Sequence, residues 1–168
     1  MNITIRDERN EDVEAIEKLT KAAFQNAEHT SHTEHFIVNS LRNCGQLTIS
    51  LVAIEDSSVI GHVAISPVQM SSGEMGWYGL GPISVHPNKQ ELGIGSLLMN
   101  KSLEKLKKLG AKGCVLLGDP NYYSRFGFKA YPELILPDVP SEYFQALSFS
   151  GNIPKGNVHY DEAFNATQ

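Results

Sequence analysis

The stretch Val85–Leu103, VHPNKQELGIGSLLMNKSL, opens as the end of an apolar strand and closes as an amphipathic helix. Between them stand Pro87, a polar run and two glycines one residue apart, Gly93 and Gly95. Glycine in a helix costs about 1 kcal/mol relative to alanine, so two of them at a helix start call for a reason. The first helical N–H groups have no intrahelical partner, and the helix dipole favours negative charge there. Without Cβ atoms in the way, a phosphate can reach those groups. The segment Gln90, Glu91, Leu92, Gly93, Ile94, Gly95 and Ser96 therefore reads as a phosphate loop, with a side-chain donor from Gln90 and a hydroxyl from Ser96. Close packing of a helix start on a strand is the competing reading of a lone G-x-G.

Two other phosphate motifs fail. No G-x-x-x-x-G-K-[ST] run exists, and the dinucleotide fingerprint lacks its third glycine, since position 98 is Leu98. Composition narrows the partners. The chain has 168 residues, 41% hydrophobic and 20% charged, as expected of one globular domain with a real core. Its 14 basic and 19 acidic residues give a net charge of -5, which argues against a nucleic-acid binder held by a basic face. No long apolar run and no charged-then-apolar leader is visible, so no membrane span or signal peptide is expected. Cys44 and Cys114 are far apart, and Cys114 in CVLL reads as a buried thiol. With no disulfide framework, a reducing cytoplasm is the expected compartment.

The rest of the chain alternates strands and helices. A first strand is expected over Asn2–Arg6, then a helix from Glu11 capped by Asn10, and a second helix over Thr33–Asn43 ended by Gly45. Leu47–Glu55 and Val59–Val68 read as strands joined by the turn Asp56-Ser57-Ser58. Trp77–His86 is a strand interrupted by Gly79, Gly81 and Pro82, which predicts a bulge or a close backbone approach. The long helix runs from about Leu92 to Gly110, followed by a buried strand over Gly113–Leu117. Asp119-Pro120 reads as an N-cap and first helical residue of a short helix ending near Gly127. FKAY reads as strand, YFQALSF as a strand or short helix, and the last dozen residues as loose.

The turn Gln90-x-x-Gly93-x-Gly95 follows LGPISVHP directly, and farther on stands GDPNYYSRFGF, Gly118–Phe128. The first resembles the acyl-CoA-binding loop of the GNAT superfamily of N-acetyltransferases, the second that superfamily's aromatic signature on the following helix. A subfamily of predicted bacterial acetyltransferases shares SLVAIEDSSVIGHVAISPV, GLGPISVHP and GDPNYYSRFGF in this order, and the likeness runs from Ile3 to Tyr131. The resemblance implies an α+β fold with a mixed, mostly antiparallel, splayed sheet flanked by helices. It implies acetyl-CoA as co-substrate, with no metal. Its pantetheine arm would bond to the strand Gly81–His86, with N–H groups of Ile83, Ser84 and Val85 stabilising the oxyanion. Tyr123 would be the acid for the leaving thiolate, Tyr122 a packing aromatic, and Asn121 a pantetheine contact.

The base is left open among Glu28, His29, His32, Glu34 and His35, with Glu74 and His86 as outsiders. The histidines at 29, 32 and 35 drift around a helix and form no H-E-x-x-H, so zinc is not expected. Arg125 reads as structural or solvent-facing rather than catalytic, Lys89 and Glu91 as solvated loop charges, and Ser102-x-x-Lys105 as helix surface. The resulting expectation is an acetyl-CoA-dependent N-acetyltransferase, monomer or homodimer, acting on a small-molecule amine. The alternatives are a protein amino group as acceptor, or a non-catalytic acyl-CoA-binding regulatory module.

Overall fold

The computed structural model describes residues 2–27 and 30–168. Six strands lie side by side in the order β1-β2-β3-β4-β5-β7: Thr4–Asp7, Ile49–Glu55, Ser58–Met70, Trp77–Val85, Gly113–Leu117 and Phe144–Ser148. All neighbours are antiparallel except β4 and β5. β6, Leu134–Ile135, pairs with β8, Gly156–Tyr160, and β8 pairs with the far end of β3. The β2–β3 hairpin turns through Asp56 and Ser57, both at positive φ (49° and 68°), the two-residue geometry that matches strand twist.

Helices cover both faces, and strand alternation decides which side chains meet them. On one face α3, Ile94–Lys108, buries Ile94, Leu98, Met99 and Leu106 against Leu51, Ala53, Val63, Ile65, Cys114 and Leu116. On the other, α1 (Val13–Phe24) and α2 (Glu34–Asn43) place Ile16 and Val38 against Val52 and Ala64. Cys114 is fully buried, and burial pushes its thiol well above the ordinary range.

Several expectations need correction. Asn10 does not cap α1: Asn10–Asp12 form a single 3-10 turn, and the Asp12 carboxylate, held by Arg6 at 2.7 Å, accepts from the Arg9 N–H at 2.7 Å. α3 starts at Ile94 rather than Leu92, because Gly93 sits at φ 86° as the N-cap. FKAY is not a strand. It contributes one bridge, Lys129 to Ala146. YFQALSF resolves as a strand, with Ser141–Tyr143 in a short 3-10 turn before it. The last dozen residues, expected to be loose, include most of β8 and a 3-10 turn, Glu162–Asn165. Val158 and Ala163 are buried there, and β8 closes the ladder of β3 at Val68, Gln69 and Met70.

Candidate active site

β4 decides the site. It pairs with β5 only at Trp77, Tyr78 and Gly79, opposite Gly113, Cys114 and Val115. Beyond that point Leu116 and Leu117 of β5 pair with β7 alone, and β4 continues to Val85 with β3 as its one partner. The edge of β4 from Leu80 to Val85 is therefore open on the β5 side. The register jumps there: Ile65 faces Leu80 and Val63 faces Ile83, so Gly81 and Pro82 both stand opposite Ala64. This is the expected bulge, and Gly81 at φ 139° takes a backbone conformation that other residues rarely adopt.

Alternation fixes what the open edge offers. The His86 N–H donates to the Ile60 carbonyl of the β3 side at 2.8 Å. Val85 and Ile83 therefore turn their N–H and C=O groups outward. Their side chains join the α3 face. The Ser84 side chain lies on the opposite face, where it is 2% exposed and its Oγ has no partner among the described residues.

The outward carbonyl of Val85 accepts from the Gln90 amide at 3.1 Å, which ties the following loop to the strand. Sequence reasoning assigned that amide to a phosphate; the structure gives it an intramolecular partner. Glu91, Leu92 and Gly93 are exposed, while Ile94 is buried and anchors the helix. Among the described residues no side chain caps α3, and its first ladder bond runs from Leu97 N–H to Gly93 C=O at 3.1 Å. The N–H groups of Ile94, Gly95 and Ser96 thus have no intrahelical acceptor. A Cβ on Gly95 would stand 3.2 Å from the Tyr122 hydroxyl.

The second motif packs against the first. Asp119 caps α4, Pro120–Tyr123, by accepting from the Asn121 N–H at 2.9 Å, with Pro120 in the first turn, as its sequence demands. One 3-10 turn, Ser124–Phe126, follows and ends on Gly127 at φ 96°. Tyr122 Oη lies 3.2 Å from Ser96 Oγ. The Arg125 guanidinium covers the Tyr122 ring at 4.4 Å while its Nε donates to the Tyr122 carbonyl at 2.8 Å. The Tyr123 ring meets Tyr122 edge-on at 4.9 Å and covers Gly118, where a Cβ would fall 2.3 Å from it. Burial, then Tyr122 and Asp119, pushes the Tyr123 hydroxyl up to about 12, so it holds its proton as a donor.

Of the candidate bases, only some fall among the described residues. Glu28 and His29 lie outside the described residues. His32, Glu34 and His35 line a cleft with Lys18, Lys21 and Phe24 of α1. Glu34 accepts from the Thr30 hydroxyl and keeps a buried Oε1 without a partner among the described residues. Burial and then Lys21 lower the His35 pKa. The His86 ring is engaged as the acceptor of the Asn88 N–H at 3.1 Å, and Glu74 is exposed in the β3–β4 loop.

Sequence reasoning missed a buried polar line. Arg42 grips Glu8 with two bonds of 2.7 and 2.8 Å; Ser50 Oγ donates to Glu8 Oε1 at 2.7 Å and lies 2.7 Å from His62 Nε2. His62 is fully buried, and burial pulls its pKa down to about 4. The signal for it was a lone histidine amid the apolar strand VIGHVAISPV.

Among the described residues, no three His, Cys, Asp or Glu side chains converge as a metal site would require, and no helix is long and apolar enough to cross a membrane. The family model described as acetyltransferase (GNAT) domain matches residues 4–131. The N-acetyltransferase YhbS of Escherichia coli is 37% identical over 126 residues, 74% of this chain and 72% of the relative. A GNAT family acetyltransferase from Brucella melitensis, solved in complex with acetyl-CoA, superimposes with a TM-score of 0.87 at 47% identity, covering 97% of this chain and 98% of that one. The crystal structure of E. coli YhbS in complex with CoA matches with a TM-score of 0.90 at 33% identity, over 100% and 94%.

Proposed function

The chain belongs to the GNAT family of acetyltransferases, and on that footing we propose that it transfers an acetyl group from acetyl-CoA to a small-molecule amine. The observation that carries this reading is the open β4 edge, Leu80–Val85, leading into an uncapped helix start at Gly93–Ser96. The residues present fit the co-substrate. The outward groups of Ile83 and Val85 suit a pantetheine arm lying along β4 as a further strand, with Ser84 between them. The N–H groups of Ile94, Gly95 and Ser96 suit a pyrophosphate, and the positions of Gly93 and Gly95 carry no Cβ to obstruct it. Glu91 and Leu92 shape the loop, and Gln90 ties it to Val85. Asn121 lies at the start of α4 as the pantetheine contact.

Acetyl-CoA supplies an acyl group activated as a thioester; the chain supplies position and charge. N–H groups at Ile83 and Val85 donate to the carbonyl oxygen as negative charge gathers on it. Tyr123 stays protonated until sulfur needs a proton. Incubation with acetyl-CoA and a panel of amines, read as thiol release, tests the reading. Amine-dependent release supports it. Tight acetyl-CoA binding with no release from any amine points to a regulatory acyl-CoA-binding module, and release only with polypeptide amines to a protein acceptor.

A further inference from the structure

Coenzyme A ends in a 3′-phosphate that the start of α3 does not serve. The N–H groups of Ile94, Gly95 and Ser96 suit the pyrophosphate. The 3′-phosphate is a monoester on the adenosine ribose and carries close to two negative charges near neutrality. The chain's own net charge is -5, so it repels such a ligand as a whole, and a local cation has to hold the group. The same ribose carries both phosphates, so that cation must stand beside the start of α3.

Among the described residues, every cation of α3 and of the loop before it except Lys107 is already held by a carboxylate. Lys89 meets Glu55 at 2.8 Å, Lys105 meets Asp7 at 3.1 Å, and Lys101 and Lys108 meet Glu104 at 3.7 and 3.3 Å. Arg125, on the neighbouring 3-10 turn, meets no carboxylate among the described residues. Its guanidinium lies 4.4 Å from the centroid of the Tyr122 ring, and its Nε donates to the Tyr122 carbonyl at 2.8 Å. The hydroxyl of that same ring lies 3.2 Å from Ser96 Oγ, in the first turn of α3. One aromatic ring therefore separates the guanidinium from the last of the three residues with free N–H groups. The two contacts fix the guanidinium by its face and its Nε. Both Nη groups make no bond among the described residues, and the side chain is exposed. Parallel N–H groups at the end of a planar fork match the oxygens of a phosphate.

Resting on the acetyl-CoA reading above, we propose that Arg125 binds the 3′-phosphate of coenzyme A, and so selects acetyl-CoA over carriers of the same acyl-pantetheine arm that lack this phosphate. Tyr122 is the positioning residue: its ring seats the guanidinium, and its hydroxyl ties that seat to the pyrophosphate site. Arg125 rims the groove between α3 and the 3-10 turn with Asn100 and Phe126. Asn100 stands one turn below Ser96, about 6 Å along the helix axis. Lys107 lines the same groove near the Phe149 ring. It stands roughly 16 Å along the axis from Ser96, beyond a phosphate on the same ribose.

The test is calorimetry with acetyl-CoA and with acetyl-3′-dephospho-CoA, for the parent, Arg125→Gln and Lys107→Gln. The two ligands differ only in the 3′-phosphate. The parent should bind acetyl-CoA about tenfold more tightly, the scale of exposed charge-assisted hydrogen bonds. Arg125→Gln should lose that factor for acetyl-CoA and stay within about twofold of the parent for the dephospho form, so that the preference disappears. A variant that merely disturbed Tyr122 would weaken both ligands alike and keep the preference. Lys107→Gln removes the same charge from the same groove and should keep the preference too. A parent that binds both forms equally overturns the proposal, as does an Arg125→Gln protein that keeps the preference. Equal loss of the preference in both variants assigns it to the general field of the groove and also overturns it. Binding needs no turnover, so the two readings fail separately. A protein that shows the preference but acetylates no amine keeps this site and loses its reading as an enzyme. One that acetylates amines with no preference between the two donors loses the site alone.

Discussion

The Ser96 hydroxyl stands 3.2 Å from the Tyr122 hydroxyl, so the first turn of α3 and the short helix α4 are joined at the mouth of the open β4 edge. The two motifs, 26 residues apart at this bond, build one wall. Gly95 lies beneath that bond, because any Cβ there would press on the Tyr122 oxygen at 3.2 Å.

Gly95→Val places a branched side chain against both the hydroxyl and the N–H groups of the helix start. Acetyl-CoA affinity by calorimetry should fall at least tenfold, the equivalent of about 1.4 kcal/mol. The melting temperature should move little, since glycine contributes nothing to this helix that valine lacks. Unchanged affinity would remove the loop from the phosphate site.

Gly118→Ala tests the seat of Tyr123 without touching the tyrosine. The added methyl would fall 2.3 Å from its ring, so the ring must move. kcat should drop at least tenfold with acetyl-CoA affinity nearly preserved, and a structure of the variant should show the ring displaced. Full activity with a displaced ring would mean that the hydroxyl is not needed where it stands.

Acid should weaken the fold in two stages. His62 has its pKa lowered from 6.5 to about 4, so the unfolded chain binds the extra proton first. Its stabilising contribution is whole above about pH 6.5 and is lost as pH falls through about 4, a total of about 3 kcal/mol. Burial raises the Glu8 carboxyl, but bonds from Arg42 and Ser50 outweigh it and leave it lowered; the Arg6 bond lowers Asp12. Those two contributions disappear only at still lower pH. Denaturant titrations of the parent and His62→Gln should therefore show the parent losing stability between about pH 6.5 and 4 and the variant losing much less. Parallel curves would contradict a neutral buried ring.

What could be read in advance follows from how local each feature is. The left-handed N-cap at Gly93 reads from the sequence as part of the helix, whereas Asp119-Pro120 declares itself because a carboxylate cap depends on a few neighbouring residues. The bulge at Gly81 and Pro82 is legible for the same reason. β8 is not, because GNVHY becomes a strand only when the tail of β3 is there to receive it. The line from Arg42 to His62 is hidden more deeply: Glu8 meets Arg42 across 34 residues and Ser50 across 42, and no spacing in the chain announces either. Gln90 is legible as a donor, and in the fold its amide bonds the Val85 carbonyl.

The account turns most directly on the Tyr123 hydroxyl. Held near 12 by burial, it remains a donor throughout the working range. Tyr123→Phe deletes that one group and keeps the ring over Gly118. The measurement is single-turnover acetyl transfer at saturating acetyl-CoA, where chemistry limits the rate. The predicted result is a loss of about 10²- to 10⁴-fold with acetyl-CoA affinity unchanged, smaller for an acyl donor whose thiol is more acidic. A Tyr123→Phe protein that transfers acetyl within about twofold of the parent rate, far short of what a lost acid costs, would contradict it.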